Sequence, residues 1–297
     1  MTLQTVHSKI GDIDVFQVVE IQIGNPVGQL FPDATPDKVK EIEWLDYPHI
    51  NADGTLNAVS QSIIVKKDDR IIVVDTCIGN DKERAESPDW TNLQTDFLET
   101  LENIGIDRNK VTDVLCTHLH MDHIGWNTYK TETGWVPTFP NAKYHFAKKE
   151  YDFWKEDPGL HSIGDGQGSA IKDSVQPIID AGLVNFIDED AYLGDGISVF
   201  PTPGHTIAHI SVIFDTGKEK FVITGDAFHH PCQLAHPEWC NIADFDKKQS
   251  EDTRIEFSKT FADDDTIIAG THFSIPSIGN IINYQDGYAF KPILNKK

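Results

Sequence analysis

The sequence predicts a mixed α/β fold in which two sheets pack together and helices cover them from outside. Three features of the chain support this prediction. Apolar segments of strand length occur as a run in each half of the chain. Segments with helical spacing of apolar residues follow each run. Histidine and aspartate residues, which are common metal ligands, stand where several of the predicted strands end.

The first half of the chain carries the first run of strands. Strands are predicted, where apolar residues alternate or run without interruption, at 13–23, 58–66, 70–75, 111–116 and 142–146. Helices are predicted, where apolar residues recur on one face, at 90–104, 148–154 and 169–181. The glycine-rich stretch 159–168 predicts a loop between the last two helices.

The second half repeats this arrangement. Strands are predicted by the same criteria at 183–187, 197–201, 210–214, 221–224 and 266–269. A helix is predicted at 250–261. Because runs of strands occur in both halves, two sheets are expected rather than one.

Residues 24–55 are predicted to form a long arm or loop, because this stretch is rich in Pro, Asp and Gly. Apolar side chains on a loop pack either over an active site or across a subunit interface. The arm carries the apolar residues Leu30, Phe31, Trp44, Leu45 and Tyr47. We therefore expect the arm to contact a second copy of the chain in a homodimer.

The charge of the chain excludes several classes of partner. The formal net charge is -22 at pH 7, whereas nucleic-acid binding needs Lys and Arg to neutralise phosphates. An acidic chain also repels anionic membrane surfaces and polyanionic substrates. We expect no nucleic acid and no membrane among its partners, and a small molecule as substrate.

Other features of the sequence favour the cytoplasm. No apolar run approaches the roughly 18 to 20 residues that a membrane span needs. The first residues lack the basic start and apolar stretch of a secretory signal. The cysteines form no CxxC pair and suit a reducing compartment.

The most informative motif is a cluster of metal-ligand types after the predicted strand 111–116. His118, His120, Asp122 and His123 fall within six residues. Two residues that are two positions apart on a strand project to the same side, and the turn beyond can bring the others back to the same point. Imidazole and carboxylate groups bind borderline cations such as Zn²⁺.

Three further ligand types follow predicted strands of the second half. They are His205, Asp226 and His272, and a glycine stands one or two positions before each of them. A glycine lets the backbone turn tightly where a Cβ would obstruct it. Each residue alone would be weak evidence, but together with the first cluster they predict a metal site.

The order HxHxDH, then His, Asp and His, resembles the metallo-β-lactamase superfamily of binuclear hydrolases. The similarity covers the chain from about Ser60 to His272. It implies a four-layer αββα sandwich of two mixed sheets. It also implies a single domain over residues 1–297, with 24–55 as an N-terminal arm.

The resemblance assigns the ligands to two metals. The first metal would be bound by His118, His120 and His205. The second would be bound by Asp122, His123 and His272. Asp226 would bridge both metals, and Asp75 would hydrogen-bond a ligand imidazole and so fix its tautomer. Zn²⁺ is the expected ion, although the nitrogen and oxygen ligands would also accept Mn²⁺, Fe or Co²⁺.

The resemblance also implies a mechanism. Two cations would share one water and lower its pKa from near 15.7 towards about 7, and the bridging hydroxide would attack the substrate. Asp122 would orient this nucleophile and carry a proton, while Asp226 would hold the bridge. The loop that leaves Asp226 should border the substrate pocket, so His229 and His230 are predicted to line it. Trp126 is predicted either to line the pocket or to pack in the core.

Within the superfamily, several branches fit poorly. Members that are true β-lactamases usually carry Cys or Ser in place of the bridging aspartate, whereas this chain has Asp226. Nucleic-acid-processing members need basic surfaces. Flavodiiron-type members carry Glu in place of the second histidine of the cluster, and single-iron sulfur dioxygenases use fewer ligands.

The branch that fits best contains N-acyl homoserine lactonases, methyl-parathion-type hydrolases and hydrolytic dehalogenases. The segments 75–82 and 123–127 resemble this branch. Hydrolysis of a small ester or lactone is the first hypothesis, and phosphotriester or aryl-halide hydrolysis is the alternative. A hydroxyacylglutathione-hydrolase-like thioesterase is third, because only a short tail, 283–297, is predicted at the C-terminus. The non-hydrolytic alternatives are an iron-dependent redox protein and a degenerate metal-binding sensor.

Overall fold

A computed structural model of the chain describes residues 2–23, 27–84, 87–156 and 166–293. Contacts between Cα atoms divide these residues into two compact units. The first unit comprises described residues of 1–20 and 60–188, and the second those of 21–59 and 189–297. Within the described ranges, no helix combines the length and apolar character that crossing a membrane requires.

The first large sheet is mixed. Its strands are β1 (Gln4–Ile10), β2 (Ile13–Ile23), β3 (Ala58–Lys67), β4 (Arg70–Val74), β5 (Asp113–Leu115), β8 (Lys143–Ala147) and β9 (Val184–Ile187). They are ordered β1-β2-β3-β4-β5-β8-β9. The neighbours β3 and β4 are antiparallel, whereas β4, β5, β8 and β9 run parallel. A separate hairpin is formed by β6 (Thr128–Thr131) and β7 (Gly134–Pro137).

The second large sheet is mixed as well. Its strands are β10 (Tyr192–Gly194), β11 (Ile197–Pro201), β12 (Ile210–Asp215), β13 (Lys220–Ile223), β14 (Ile267–Ala269), β15 (Ile278–Tyr284) and β16 (Gly287–Pro292). They follow one another across the sheet in chain order. Among these neighbours β13 and β14 are parallel, and the other pairs are antiparallel. The prediction of a mixed α/β fold with two mixed sheets is confirmed.

The helices of the described ranges are mostly short. They are α1 (Val27–Leu30), α2 (Pro36–Val39), α3 (Phe97–Asn103), α4 (Lys148–Glu156), α5 (Gly166–Ala170), α6 (Gln176–Asp180), α7 (Cys232–Ala235) and α8 (Lys247–Phe261). A π-helical turn, Ile171–Val175, joins α5 to α6. The long helix α8 starts at the N-cap Asp246, whose side chain accepts the Gln249 N–H at 3.0 Å.

Each unit has its own apolar core. In the first unit, Val73 and Val114 of the sheet pack in a cluster that includes Leu101 of α3 and Trp154 of α4. In the second, the sheet residue Ile268 lies in a cluster with the aromatic side chains of α8. Burying an apolar side chain of this size stabilises a fold by roughly 1.5 to 3 kcal/mol.

Parallel pairing decides where the predicted ligands emerge. In the first sheet β4 and β5 run parallel, so their carboxyl ends meet at one edge and lead into Asp75 and the His118 loop. In the second sheet β13 and β14 run parallel, and they lead into Asp226 and His272 in the same way. The carboxyl edge of each sheet therefore gathers the functional residues of its unit.

The arm differs in part from its prediction. Residues 24–26 lie outside the described ranges, and the rest of the arm contains α1 and α2 rather than loop alone. Phe31 and Leu45 are buried within this one chain, whereas Tyr47 is 80 % exposed. The burial of these two residues needs no second copy, and the homodimer stays a prediction.

Two other predicted segments need comment. Most of the predicted loop 159–168 lies outside the described residues, and its last three residues begin α5. The predicted tail 283–297 is wrong over most of its length, because β15 ends at Tyr284 and β16 follows it. The two strands pair with each other, and β16 buries Ala289 and Phe290.

Candidate metal centre

In the first unit, the loop after β5 brings the motif histidines together. His118, His120 and His123 are buried, and Asp122 is half-buried. The ring centroid of His118 lies 4.6 Å from that of His120 and 4.1 Å from that of His123. Rings this close, at one end of a strand, can direct nitrogen atoms at a common cation.

A short backbone ladder fixes where this loop ends. The Thr76 N–H donates to the His123 carbonyl at 2.7 Å, and the Trp126 N–H donates back to the Thr76 carbonyl at 2.8 Å. The two segments approach so closely that a Cβ on Gly125 would come within 1.8 Å of the Ile78 carbonyl oxygen. Glycine is therefore required at position 125 for the loop to keep this path.

Asp75 supports two of the motif histidines. Its Oδ2 lies 2.9 Å from the Nδ1 of His123 and also accepts the Thr117 hydroxyl at 2.9 Å. Because that hydroxyl donates to Asp75, it must accept from the Nδ1 of His118, which lies 3.0 Å away. Both rings thus carry their proton on Nδ1, so that Nε2 is the nitrogen whose lone pair can bind a cation.

In the second unit, three imidazoles surround the carboxylate of Asp226. The Nε2 atoms of His205 and His229 each lie 3.3 Å from Asp226 Oδ2, and the Nε2 of His272 lies 3.2 Å from Oδ1. All four side chains are buried. The predicted ligands His205, Asp226 and His272 are thus brought together within this unit.

The Nδ1 atoms of two of these rings are also held. His205 Nδ1 lies 2.9 Å from Asp244 Oδ1, and His272 Nδ1 lies 2.8 Å from the carbonyl of Val59. Both partners are acceptors, so both rings are protonated on Nδ1 and turn Nε2 towards Asp226.

Asp244 is a functional residue that the sequence prediction missed. Ligand atoms of Asp244, His205 and His229 lie within 4.8 Å of one another. However, Asp244 already accepts from His205 and, at 3.0 Å, from the Asn241 N–H, so we assign it to orienting His205. Burial alone would raise the pKa of Asp244, but the hydrogen bond from His205 and the charge of the nearby Arg254 guanidinium lower it to about 2.

The turn that carries His205 is docked against the start of α8. The Phe245 N–H donates to the His205 carbonyl at 3.1 Å, and the Asp246 N–H donates to the Gly204 carbonyl at 2.9 Å. Gly204 has φ +130°, and a Cβ there would come within 2.4 Å of the Ser250 nitrogen. This turn therefore depends on glycine, as the sequence predicted.

His209 holds the backbone of Asp226. Its Nε2 accepts the Asp226 N–H at 2.8 Å, so its proton lies on Nδ1 and is donated to the Thr202 hydroxyl at 2.8 Å. Since both nitrogens are used, His209 has a structural position beside the site.

The structure separates the residues that were predicted to line the substrate pocket. His229 lies against Asp226, and its buried Nδ1 has no hydrogen-bond partner among the described residues. His230 points elsewhere, because its Nε2 bonds the His49 carbonyl at 2.9 Å and its Nδ1 accepts the Cys232 N–H at 3.1 Å. Of the two histidines, His229 is the one that lies beside the predicted ligand Asp226, and the substrate contact stays a prediction.

Trp126 lies in the core of the first unit. Its ring stacks on Phe97 with centroids 5.1 Å apart, and its indole N–H donates to Glu20 Oε1 at 2.6 Å. Only 3 % of the side chain is exposed. The packing alternative therefore describes Trp126 better than the pocket role, because the polar edge of its ring is already used.

The donor sets fit a divalent cation of the zinc type. Four histidines have Nδ1 engaged by an oxygen, which is the arrangement that metal-binding imidazoles show. These are His118, His123, His205 and His272. Imidazole nitrogens combined with carboxylate oxygens suit Zn²⁺, Mn²⁺, Fe or Co²⁺ better than Ca²⁺ or Mg²⁺, which prefer oxygen alone.

A family model described as "Metallo-beta-lactamase superfamily" matches residues 55–272. Two relatives illustrate the similarity of the sequence. A probable metallo-hydrolase of Mycobacterium tuberculosis is 25 % identical over 215 residues, which cover 61 % of this chain and 62 % of the relative. The N-acyl homoserine lactonase AttM of Rhizobium radiobacter is 29 % identical over 144 residues, which cover 46 % of this chain and 50 % of the relative. The matches thus span less than two thirds of the length of these relatives.

A solved structure resembles the chain over its whole length. It is AidC, described as a dizinc quorum-quenching lactonase in complex with a product, N-hexnoyl-L-homoserine. The TM-score is 0.80 at 22 % sequence identity, and the match covers 100 % of this chain and 99 % of AidC. At this identity the likeness shows the shared fold.

Proposed function

The chain belongs to the metallo-beta-lactamase superfamily, and on that premise we propose that it is a binuclear metal-dependent hydrolase of a small ester or lactone. The observation that carries the proposal is which ring nitrogen of the histidines carries the proton. Imidazoles in both units are locked as Nδ1–H tautomers, by Asp75 and Thr117 in one unit and by Asp244 in the other. Such outer partners are characteristic of metal-binding histidines.

We propose that the ligands of both units serve one binuclear centre. Its members would be His118, His120, Asp122, His123, His205, Asp226 and His272. The match of one family model across residues 55–272 supports this grouping, because it spans both ligand sets. On the same ground we propose that residues 1–297 form one functional domain. Zinc is the proposed ion, and the description of AidC as a dizinc enzyme supports that choice.

The metals, when bound, would lower the pKa of a water molecule and polarise the substrate oxygen. The residues of the chain supply orientation and proton transfer. Asp122 is half-buried, and its Oδ2 lies 3.8 Å from His123 Nε2, so it can accept a hydrogen bond from the nucleophile and take its proton. The two carboxylate oxygens of Asp226 each face an imidazole nitrogen, so this side chain could bind both metal ions. His229, which follows Asp226 by three residues and contacts it, could also contact the substrate.

The lactone substrate is supported by what the relatives are called. AttM is named an N-acyl homoserine lactonase, and the AidC structure contains a homoserine product. A cytoplasmic location is proposed as well, since all four cysteines are free and buried, as expected in a reducing compartment. A homodimer is proposed with Tyr47 of the arm in its interface, since this ring is 80 % exposed.

The test combines metal analysis with a panel of substrates. The purified protein is expected to hold two equivalents of metal, measured by elemental analysis. It should hydrolyse γ-lactones or carboxylic esters faster than an aryl phosphotriester, an aryl halide or a glutathione thioester. Asp226→Ala should abolish turnover, while Asp180→Ala, a change on the exposed end of α6, should not.

Three results would contradict parts of this proposal. Retained turnover in the Asp226→Ala variant would exclude a role for this carboxylate in the reaction. A single iron with no second metal would exclude the binuclear hydrolase. Preference for the phosphotriester would keep the hydrolase and overturn the substrate class.

A further inference from the structure

The peptide groups between the motif ligands of the first unit are held by two buried side chains. Gln167 Oε1 accepts the Met121 N–H at 3.0 Å, and Gln167 Nε2 donates to the Leu119 carbonyl at 2.5 Å. The Leu119 N–H donates to Glu150 Oε1 at 3.3 Å. Leu119 and Met121 are the neighbours of His120 on either side, so hydrogen bonds hold the backbone both before and after this ligand.

The contact of Gln167 requires an amide. It pairs with a carbonyl and an N–H that are two residues apart, as a peptide of a neighbouring strand would do. A carboxylate of the same shape has no donor for the Leu119 carbonyl, and an apolar side chain has neither group. Gln167 is 3 % exposed, so water cannot easily replace the bonds it makes.

The helical run that carries Gln167 is anchored within its unit by buried ion pairs. The helical run from α5 to α6 contains Asp173 in its π-helical turn. Arg84 binds the Asp173 carboxylate with two nitrogens, at 2.8 and 3.2 Å, and Lys82 Nζ lies 3.3 Å from Asp173 Oδ1. Both basic side chains are fully buried, and a two-pronged pair of this kind resists displacement.

Glu150 also holds Trp154, whose ring contacts the ring of His120. Glu150 Oε1 accepts the Trp154 indole N–H at 2.7 Å in addition to the Leu119 N–H. The Trp154 ring lies 5.4 Å from that of His120, edge to face. Backbone and side chain of the same ligand are thus supported from α4 and α5.

We propose that Gln167 is a positioning residue for the metal ligands of the HxHxDH motif. It sets the path of the backbone through Leu119 and Met121, and so the separation of His118 and His120. Without it, two buried backbone groups lose their partner and the loop relaxes to recover them. The proposal rests on the proposed metal centre and adds to it a residue outside the ligand set.

The experiment measures metal binding, not turnover. Apoproteins of the wild type, Gln167→Glu and Gln167→Met are titrated with Co²⁺ against a competing chelator, and the visible ligand-field spectrum is recorded. Gln167→Glu keeps the shape of the side chain and loses its N–H donor. Gln167→Met keeps a similar side-chain volume and has neither the donor nor a charge. Gln176→Glu is the matched control for Co²⁺ binding, because Gln176 follows in the same helical run and loses an exposed hydrogen bond instead, the one that its amide donates to Asp180 at 2.7 Å. Thermal unfolding of each apoprotein is followed in parallel.

We expect both Gln167 variants to bind at least one Co²⁺ about tenfold more weakly or worse, with a changed spectrum. Gln176→Glu should match the wild type. A lower unfolding temperature with unchanged Co²⁺ affinity and spectrum would overturn the proposal, because Gln167 would then be merely structural. If the wild type itself bound no Co²⁺, the metal centre of the proposed function would fail, a result distinct from any failure of Gln167.

Discussion

Asp244 Oδ1 lies 2.9 Å from His205 Nδ1, although the two residues are 39 positions apart in the chain. The same ring turns its Nε2 towards Asp226, at 3.3 Å from Oδ2. The carboxylate of Asp244 thus decides which nitrogen of His205 carries the proton. It plays in the second unit the part that Asp75 plays in the first.

Removing Asp244 is therefore expected to weaken metal binding. In Asp244→Ala the His205 ring loses the partner that fixes its tautomer, and the affinity for zinc should fall roughly 10- to 100-fold. Competition with a chromophoric chelator measures this change. Asp252→Ala, which removes an exposed carboxylate of α8, serves as the control. Equal affinities in the two variants would show that Asp244 does not orient the ring.

Asp75 should matter more than Asp244, because it supports two rings. Asp75→Ala is expected to lower metal affinity further than Asp244→Ala does. Thr117→Val removes only the hydroxyl that links Asp75 to His118, and it should have a smaller effect than Asp75→Ala. The same zinc competition assay ranks the three variants. An effect of Thr117→Val as large as that of Asp75→Ala would contradict the direct bond to His123 as the main support.

The stability of the fold should fall in mild acid because of His230. Burial lowers the pKa of His230 from 6.5 to about 4, because the charged ring would lose its hydration inside the protein, and the hydrogen bond to the His49 carbonyl offsets only part of this effect. Between these values the unfolded chain binds more protons than the folded one, so stability decreases as pH falls from about 6.5 to 4. The loss from this group is on the order of 3 kcal/mol.

Urea unfolding of the apoprotein at several pH values tests this expectation. The His230→Gln variant is neutral over the whole range and should show a shallower loss of stability than the wild type between pH 6.5 and 4.5. His236→Gln, which changes a half-buried histidine after α7, should follow the wild type. Parallel losses in wild type and His230→Gln would mean that His230 is not the group responsible.

Gly125 is expected to tolerate no side chain. A Cβ at this position would lie 1.8 Å from the Ile78 carbonyl oxygen, so Gly125→Ala must push two backbone segments apart. We expect a loss of roughly 3 kcal/mol or more, at the upper end of overpacking effects. Gly28→Ala is the control, because nothing lies within 4 Å of the added atom. Chemical denaturation compares the two, and similar stabilities would contradict the close approach.

Ten strands could be predicted from their apolar residues, whereas β1, β6, β7, β10, β15 and β16 were missed. Each predicted strand is observed to within two residues at either end. Among the missed strands, β1 has only one buried residue, Ile10, because it lies at the edge of its sheet. An edge strand that faces solvent lacks the apolar alternation on which the prediction depends. The helix predicted at 90–104 is observed only at Phe97–Asn103. Trp90, at the start of the predicted range, belongs to a separate 3₁₀ turn.

The ligand motif could be recognised because its members stand close together after a strand. Asp244 could not, since it lies in a loop and is one of 47 acidic residues in the chain. Gln167 was missed for a similar reason, because a glutamine gains its meaning here only from the two backbone groups it meets. The partner of a side chain across a fold is set by tertiary packing, which local sequence does not encode.

The hairpin turn between β12 and β13 lies at the end of β13 opposite to Asp226. Lys218 in this turn is exposed, whereas the four native thiols are buried. A cysteine introduced by Lys218→Cys would therefore be the most reactive thiol for a maleimide dye. The chain thus offers an attachment point for fluorescence or surface-immobilisation experiments. This point is separated from Asp226 by the length of β13.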